Sequence, residues 1–201
     1  MQGFRYICIG MRLFYFLFLS SLSFILHAQD TIVVQIAHGS KPRRQYPDEF
    51  KTIGGMKGGH VVIQINNFVY GFHFKGERIH IFPHHKTKNG IFQEQSLTEW
   101  QKITNDKKVT KVFIPVTKEE KQKLFDFYKL NLLKPNYDYS FFGQRCASSV
   151  YNELKSIAKI KGGGKLFNSF YPAQLRKTLL KNNGYKVEIK EGSKRRVWEG
   201  D

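Results

Sequence analysis

The chain has 201 residues, with 33 Lys+Arg against 16 Asp+Glu, a formal charge of +17 and two cysteines. Its length excludes a string of several domains and suits one fold with an adequate core. The basic excess points to an anionic target surface, with plain solubility as the bland account.

Residues 1–28 read as a secretory signal. Arg5 and Arg12 supply the positive start, Leu13 to Leu26 form the apolar run, and Ala28 is the expected cleavage residue. The run is too short to span a bilayer comfortably. Cys8 precedes it, so it is not read as a lipidation site, and a start at Met11 would remove it. Export leaves residues 29–201 as a single domain and makes nucleic acid the least expected of the anionic partners. Without Arg5 and Arg12 the balance is 31 basic against 16 acidic residues, or +15.

Asp30 to Ala37 is β-branched and predicts a strand. His38 to Gly59 reads as a basic, Gly- and Pro-containing loop. A hairpin follows, His60–Ile65 and Phe68–His73 about Asn66-Asn67, a dipeptide that tolerates positive φ. That turn pairs Ile65 with Phe68, Gln64 with Val69, Val62 with Gly71 and His60 with His73. Alternation puts Val61, Ile63, Ile65, Phe68, Tyr70 and Phe72 on a core face. The other face is mixed, has a glycine gap, and sets His60 beside His73 with Cβ atoms roughly 5 Å apart.

Arg78–Phe82 predicts another strand, and 84–108 a polar excursion with a short helix at 97–103. Val109–Val116 is a strand. Thr117 and Glu120 form a capping box that opens a helix running to about Leu132. A second helix spans about Arg145–Ile160, with Val150, Leu154 and Ile157 on its apolar face, and Gly162-Gly163-Gly164 stops it. Pro172 opens a last helix ending near Asn182-Asn183-Gly184, before a strand at 185–190 and a basic tail. Strands and then helices, with a late strand and no internal repeat, make an α+β domain.

Cys146 begins the second helix, and an exported protein usually pairs its cysteines, so this thiol asks for a chemical explanation. A helix N-terminus, the adjacent Arg145 and a histidine base would all favour the thiolate. His60 would take the proton, His73 would fix the tautomer of His60, and helix N–H groups would bind an oxyanion. Taken singly, a cysteine on an apolar helix face or a histidine on a strand is more often structural. His73, His80, His84 and His85 lie close in sequence, but no acidic or cysteine ligand has matching spacing, so neither a metal nor a cofactor is expected.

The pieces Gly59-His60-Val61 with its hairpin, the 117–132 helix, Tyr137-Asp138-Tyr139 before Arg145-Cys146-Ala147-Ser148, and Tyr171-Pro172 cover about 58–182. Together they resemble the circularly permuted NlpC-type papain-like fold. That group includes lecithin:retinol acyltransferase-like proteins and bacterial wall hydrolases. The resemblance implies an antiparallel sheet packed against helices, with Cys146 as nucleophile at a helix N-terminus, His60 as base and His73 as third residue. Many relatives carry Asn where this chain has Arg145.

Three functions follow as expectations. The first is an exported, periplasmic or secreted cysteine hydrolase cutting amide bonds in peptidoglycan stem peptides. The second is a thiol acyltransferase or lipid hydrolase using an acyl-Cys146. The third is a binding module without turnover, held to peptidoglycan or another anionic envelope polymer. An exposed apolar surface beside the site would favour the second, and a buried Cys146 the third.

Overall fold

The computed structural model describes residues 30–49, 58–160, 171–182 and 184–201. The expected signal segment and Gly162–Gly164 lie outside the described residues. Among the described residues the fold is α+β: an antiparallel six-stranded sheet, a two-stranded sheet and four helices.

β1 (Asp30–His38) is the spine of the large sheet, with β3 (Gly59–Ile65) on one side and β6 (Val109–Val116) on the other. β4 (Phe68–Phe74) and β5 (Gly90–Ser96) extend it one way and β7 (Lys186–Lys190) the other. The order is β5-β4-β3-β1-β6-β7. The turn at Asn66, with φ of 55°, gives the expected pairs Ile65–Phe68 and Gln64–Val69, and also Ile63–Tyr70. Beyond Ile63 the ladder between β3 and β4 ends.

The face bearing Ile32, Val34, Ile36, Val61, Ile63, Ile65, Tyr70 and Phe72 is the main core. Phe68, expected there, is largely exposed. Against this face pack α2 (Lys118–Leu133) through Leu124 and Tyr128, α3 (Cys146–Ser156) through Ala147, Val150 and Leu154, and α4 (Pro172–Asn182) through Leu175 and Leu179. The opposite face carries Ala37, Val62, Val69 and Val109 under Trp100 of α1 (Leu97–Ile103).

Four expectations are corrected. Arg78–Phe82 forms no strand: its contact is one isolated bridge, His80 with Ser140, and Pro83 follows at once. β5 lies inside the segment read as a polar excursion and pairs with β4 along its whole length, from Phe68–Ser96 to Phe74–Gly90. Its Phe92 enters the core while Gln93 and Gln95 face the other way. The basic tail is also structured, since β8 (Arg196–Trp198) pairs with β2 (Ser40–Pro42), and the buried Arg196 guanidinium donates to Ser40 Oγ at 2.8 Å. Finally, α3 stops at Ser156, where Ala158 takes φ of 54°, rather than running to Ile160.

The α2 capping box is formed as read. Glu120 N–H donates to Thr117 Oγ1 at 3.2 Å, and Thr117 N–H donates to Glu120 Oε2 at 2.8 Å. Thr117→Ala leaves one of these N–H groups without its acceptor, so urea unfolding should show a loss of about 1 kcal/mol, with the slope m unchanged.

Candidate active site

Cys146 is the first residue of α3 and only 4% exposed. With this turn, an unbroken hairpin would direct the Val61 N–H to the carbonyl of Phe72. It faces the Cys146 sulfur instead, where the β3–β4 ladder has ended. The Tyr139 hydroxyl completes the seat, close to both the sulfur and the Cys146 N–H. The residue before the cysteine offers no capping oxygen, and its guanidinium turns away. Arg145 donates to the Phe141 carbonyl at 2.7 Å and lies over the Phe141 ring at 4.4 Å. Ser148 Oγ accepts the Arg145 N–H at 2.7 Å.

His60 and His73 meet on the far face of the hairpin, with their Nε2 atoms 3.3 Å apart and ring centroids 4.2 Å apart. Two glycines make this approach feasible. Gly59 has φ of +100°, and a Cβ on it would stand 2.3 Å from the Ala37 carbonyl oxygen. A Cβ on Gly71 would stand 3.0 Å from His73 Nε2 and 3.2 Å from His60 Nε2, so the rings occupy the gap that glycine leaves. Both rings line a cavity of about 590 Å³, together with Trp100, Gln93, Gln95 and Arg196. His38 is on its wall, held by Thr110 Oγ1 at 2.7 Å and the Glu199 carbonyl at 2.9 Å.

The structure thus brings His60 and His73 together, and sets Cys146 against the peptide that joins His60 to Val61. The sulfur reaches β3 from the helix side, whereas the rings face the cavity.

The electrostatics differ from expectation. Burial raises the Cys146 pKa, and this outweighs the Val61 N–H, the Tyr139 hydroxyl, the Ala147 N–H and Arg145, which all pull it down. Burial also lowers His60 well below its ordinary value, helped by His73 and Lys107, and lowers His73 to about 4. The resting pair is therefore a neutral thiol and a neutral imidazole, not the ion pair anticipated from the helix start and Arg145. Glu153, two turns along α3, is raised to about 7 by burial, while hydrogen bonds from Ser149 and Tyr128 oppose the shift.

Of the histidines weighed as metal ligands, His73 pairs with His60, whereas His80 stacks on His84 at 3.9 Å and meets Asp138 Oδ2 at 2.7 Å. No group of three His, Cys, Asp or Glu side chains suited to a metal occurs among the described residues. Sequence reasoning passed over Tyr139 and Trp100 as site residues. Tyr139 carried a signal in its place seven residues before Cys146, inside an aromatic run. Trp100 carried none, since its helix crosses from a distant segment.

No family model matches the chain, and no curated protein matches it. Among solved structures, the type VI secretion system effector TseH superposes with a TM-score of 0.51 at 11% identity, covering 82% of this chain and 100% of that one. The two share a fold, a mixed α+β arrangement with an antiparallel sheet.

Two measurements follow from the burial. Iodoacetamide labelling of Cys146 should be slow near neutrality, should rise only above the roughly 8.5 of an ordinary thiol, and should accelerate in urea. A rate plateau well below that pH would mean that a thiolate already exists in the fold. His73 binds its proton in the unfolded chain near pH 6.5 and in the folded one near 4, so stability falls as pH drops through that window. Glu153 acts oppositely, losing stability as pH rises from about 4.3 toward 7. Comparing wild type with His73→Gln by denaturant unfolding across this range isolates the first effect, and the variant should lose less stability on acidification.

Proposed function

We propose that this protein is an exported thiol hydrolase of the permuted papain-like type that cuts amide bonds in peptidoglycan stem peptides. The reading rests above all on one observation: the first residue of α3, Cys146, is seated on the β3 peptide next to His60, whose outer nitrogen is held by His73. A thiol and a histidine pair thus meet one strand at neighbouring residues from its two faces, and proton transfer requires the His60 ring to turn toward the sulfur. The fold shared with a secretion-system effector is in keeping with work outside the producing cytoplasm.

Because thiol and imidazole rest neutral, the proton moves as attack occurs. His60 takes the Cys146 proton while the sulfur bonds to the substrate carbonyl carbon. The carbonyl oxygen gains charge and is met by N–H groups at the α3 start and by the Tyr139 hydroxyl, whose own contact with the Cys146 N–H occupies that place at rest. His60 then returns the proton to the leaving amine, and water hydrolyses the acyl-Cys146.

A second reading has its own support. Ile81, Phe82, Phe141 and Phe142 are exposed in the loops leading to Cys146, an apolar surface of the kind that favours acyl transfer or hydrolysis on lipids. The buried thiol, in turn, is the feature that would favour a binding module, and the alkylation profile addresses it directly.

Purified muropeptides digested with wild type should yield new amine termini by mass spectrometry, with none from Cys146→Ala or His60→Ala. His73→Gln should keep part of the activity, because an amide can still orient His60, and Tyr139→Phe should lower kcat more than it raises KM. Binding to sacculi should persist in Cys146→Ala and weaken with added salt. An acyl-Cys146 formed from phospholipid, with muropeptides intact, would replace the amidase by the acyltransferase.

A further inference from the structure

We propose that the loops at 79–82 and 141–142 form an interfacial lip that docks the protein on anionic phospholipid. Ile79, Ile81, Phe82, Phe141 and Phe142 all stand exposed, Ile81 at 63% and Phe82 at 65%. The three rings form one surface: Phe82 and Phe142 stack at 5.4 Å, and Phe141 meets Phe142 edge-on at 5.0 Å. The lip is braced from behind. Phe141 N–H donates to the His80 carbonyl at 2.7 Å and Phe142 N–H to the Ile81 carbonyl at 2.9 Å. Asp138, with a fully buried carboxylate, accepts from the backbone N–H groups of Asn89 at 2.8 Å and His84 at 3.0 Å, and from His80. Burial pushes Asp138 up, but these donors win and hold it below the ordinary carboxylate range, so the brace is charged and strong.

A rigid backbone that holds aromatic side chains out into water costs free energy unless something covers them. The surroundings say what does. The 75–88 loop carries Lys75, Arg78 and Lys86 against the single acid Glu77, so cations flank the apolar tip on both sides in sequence, while Lys88 donates to the Pro135 and Asn136 carbonyls. Projecting aromatic and branched side chains within a cationic rim match an interface that is apolar below and negatively charged above, as an anionic bilayer surface is. The chain's overall excess of positive charge acts in the same direction. Docking here would also set the 137–145 segment, and so the start of α3, against the membrane. The proposal does not rest on the reaction assigned to Cys146.

Co-sedimentation of the purified protein with phosphatidylglycerol vesicles tests it, beside phosphatidylcholine vesicles and purified sacculi. Binding to phosphatidylglycerol should exceed that to phosphatidylcholine by roughly tenfold or more, since each basic side chain near the surface is worth roughly fivefold. The Phe82→Ser/Phe142→Ser variant should bind roughly tenfold less while its far-ultraviolet circular dichroism is unchanged. Should that variant fail to fold, Phe82→Trp decides, because its added emission should shift to the blue with phosphatidylglycerol vesicles. An unshifted emission, equal binding by the serine variant, or a Phe82-dependent affinity for sacculi without any for vesicles would each overturn the lipid assignment.

Discussion

The packing of α3 that brings the Cys146 sulfur up to the Val61 N–H decides how this site is put together. A strand N–H that an unbroken hairpin would give to its partner faces the start of a helix instead. The ladder between β3 and β4 ends there, and the start of α3 fills the place. That one exchange sets the sulfur beside the peptide following His60. On the opposite face, the open floor at Gly71 lets two imidazoles meet. A thiol is a weak acceptor, so the contact itself contributes little. The position is held by the packing of Ala147, Val150 and Leu154 against the main core.

How far the sequence foretold this depends on where each signal lies. Local signals were legible. The Asn66 turn, the alternation through Ile63 and Ile65, and the Thr117–Glu120 box each specify their geometry within a few residues, and each is present. Signals that depend on a distant partner were not. β5 reads as polar because only Phe92 and Gly90 of its seven residues are buried, and its strand character comes from pairing with β4. Arg196 reads as part of a solvated tail until Ser40 and Glu49 receive it. Ile79 and Ile81 imitate a strand by alternation, yet the backbone they sit on pairs at one bridge only. In the site, the meeting of the His60 and His73 rings could be read from the hairpin's alternation, although the ladder ends at Ile63 and the expected pairs Val62–Gly71 and His60–His73 are not formed. The burial of Cys146 could not, since it depends on helices closing over one end of a sheet.

That burial changes the chemistry more than the nearby charges do. A helix N-terminus favours a thiolate by fractions of a kcal/mol to about 2 kcal/mol, whereas removing a charged group from water costs more than that. The same desolvation acts on both partners with opposite sign, raising the acid and lowering the base. Each pKa moves away from the value that would form an ion pair at rest. Glu153 on the same helix follows the rule, held protonated toward neutrality. The region is built of neutral groups whose charges would appear only during a reaction.

For the proposed hydrolysis this has a mechanistic consequence. An enzyme with a preformed thiolate–imidazolium pair depends on pH through two titrations bracketing that pair. With a neutral pair, the essential state is present wherever His60 remains unprotonated and the thiol keeps its proton, a span widened at both ends by burial. The substrate must then supply what the resting site lacks, a developing oxyanion to draw the N–H groups and the Tyr139 hydroxyl. Tyr139 already lies close to both the sulfur and the Cys146 N–H, so a small rotation would turn its hydroxyl from a cap on the thiol to a donor for the oxygen. On this view the aromatic run before Cys146 does two things with adjacent residues. Tyr139 faces inward to the reacting sulfur, and Phe141 and Phe142 face outward from the lip. Asp138, buried just before them, ties this run to Asn89, His84 and His80.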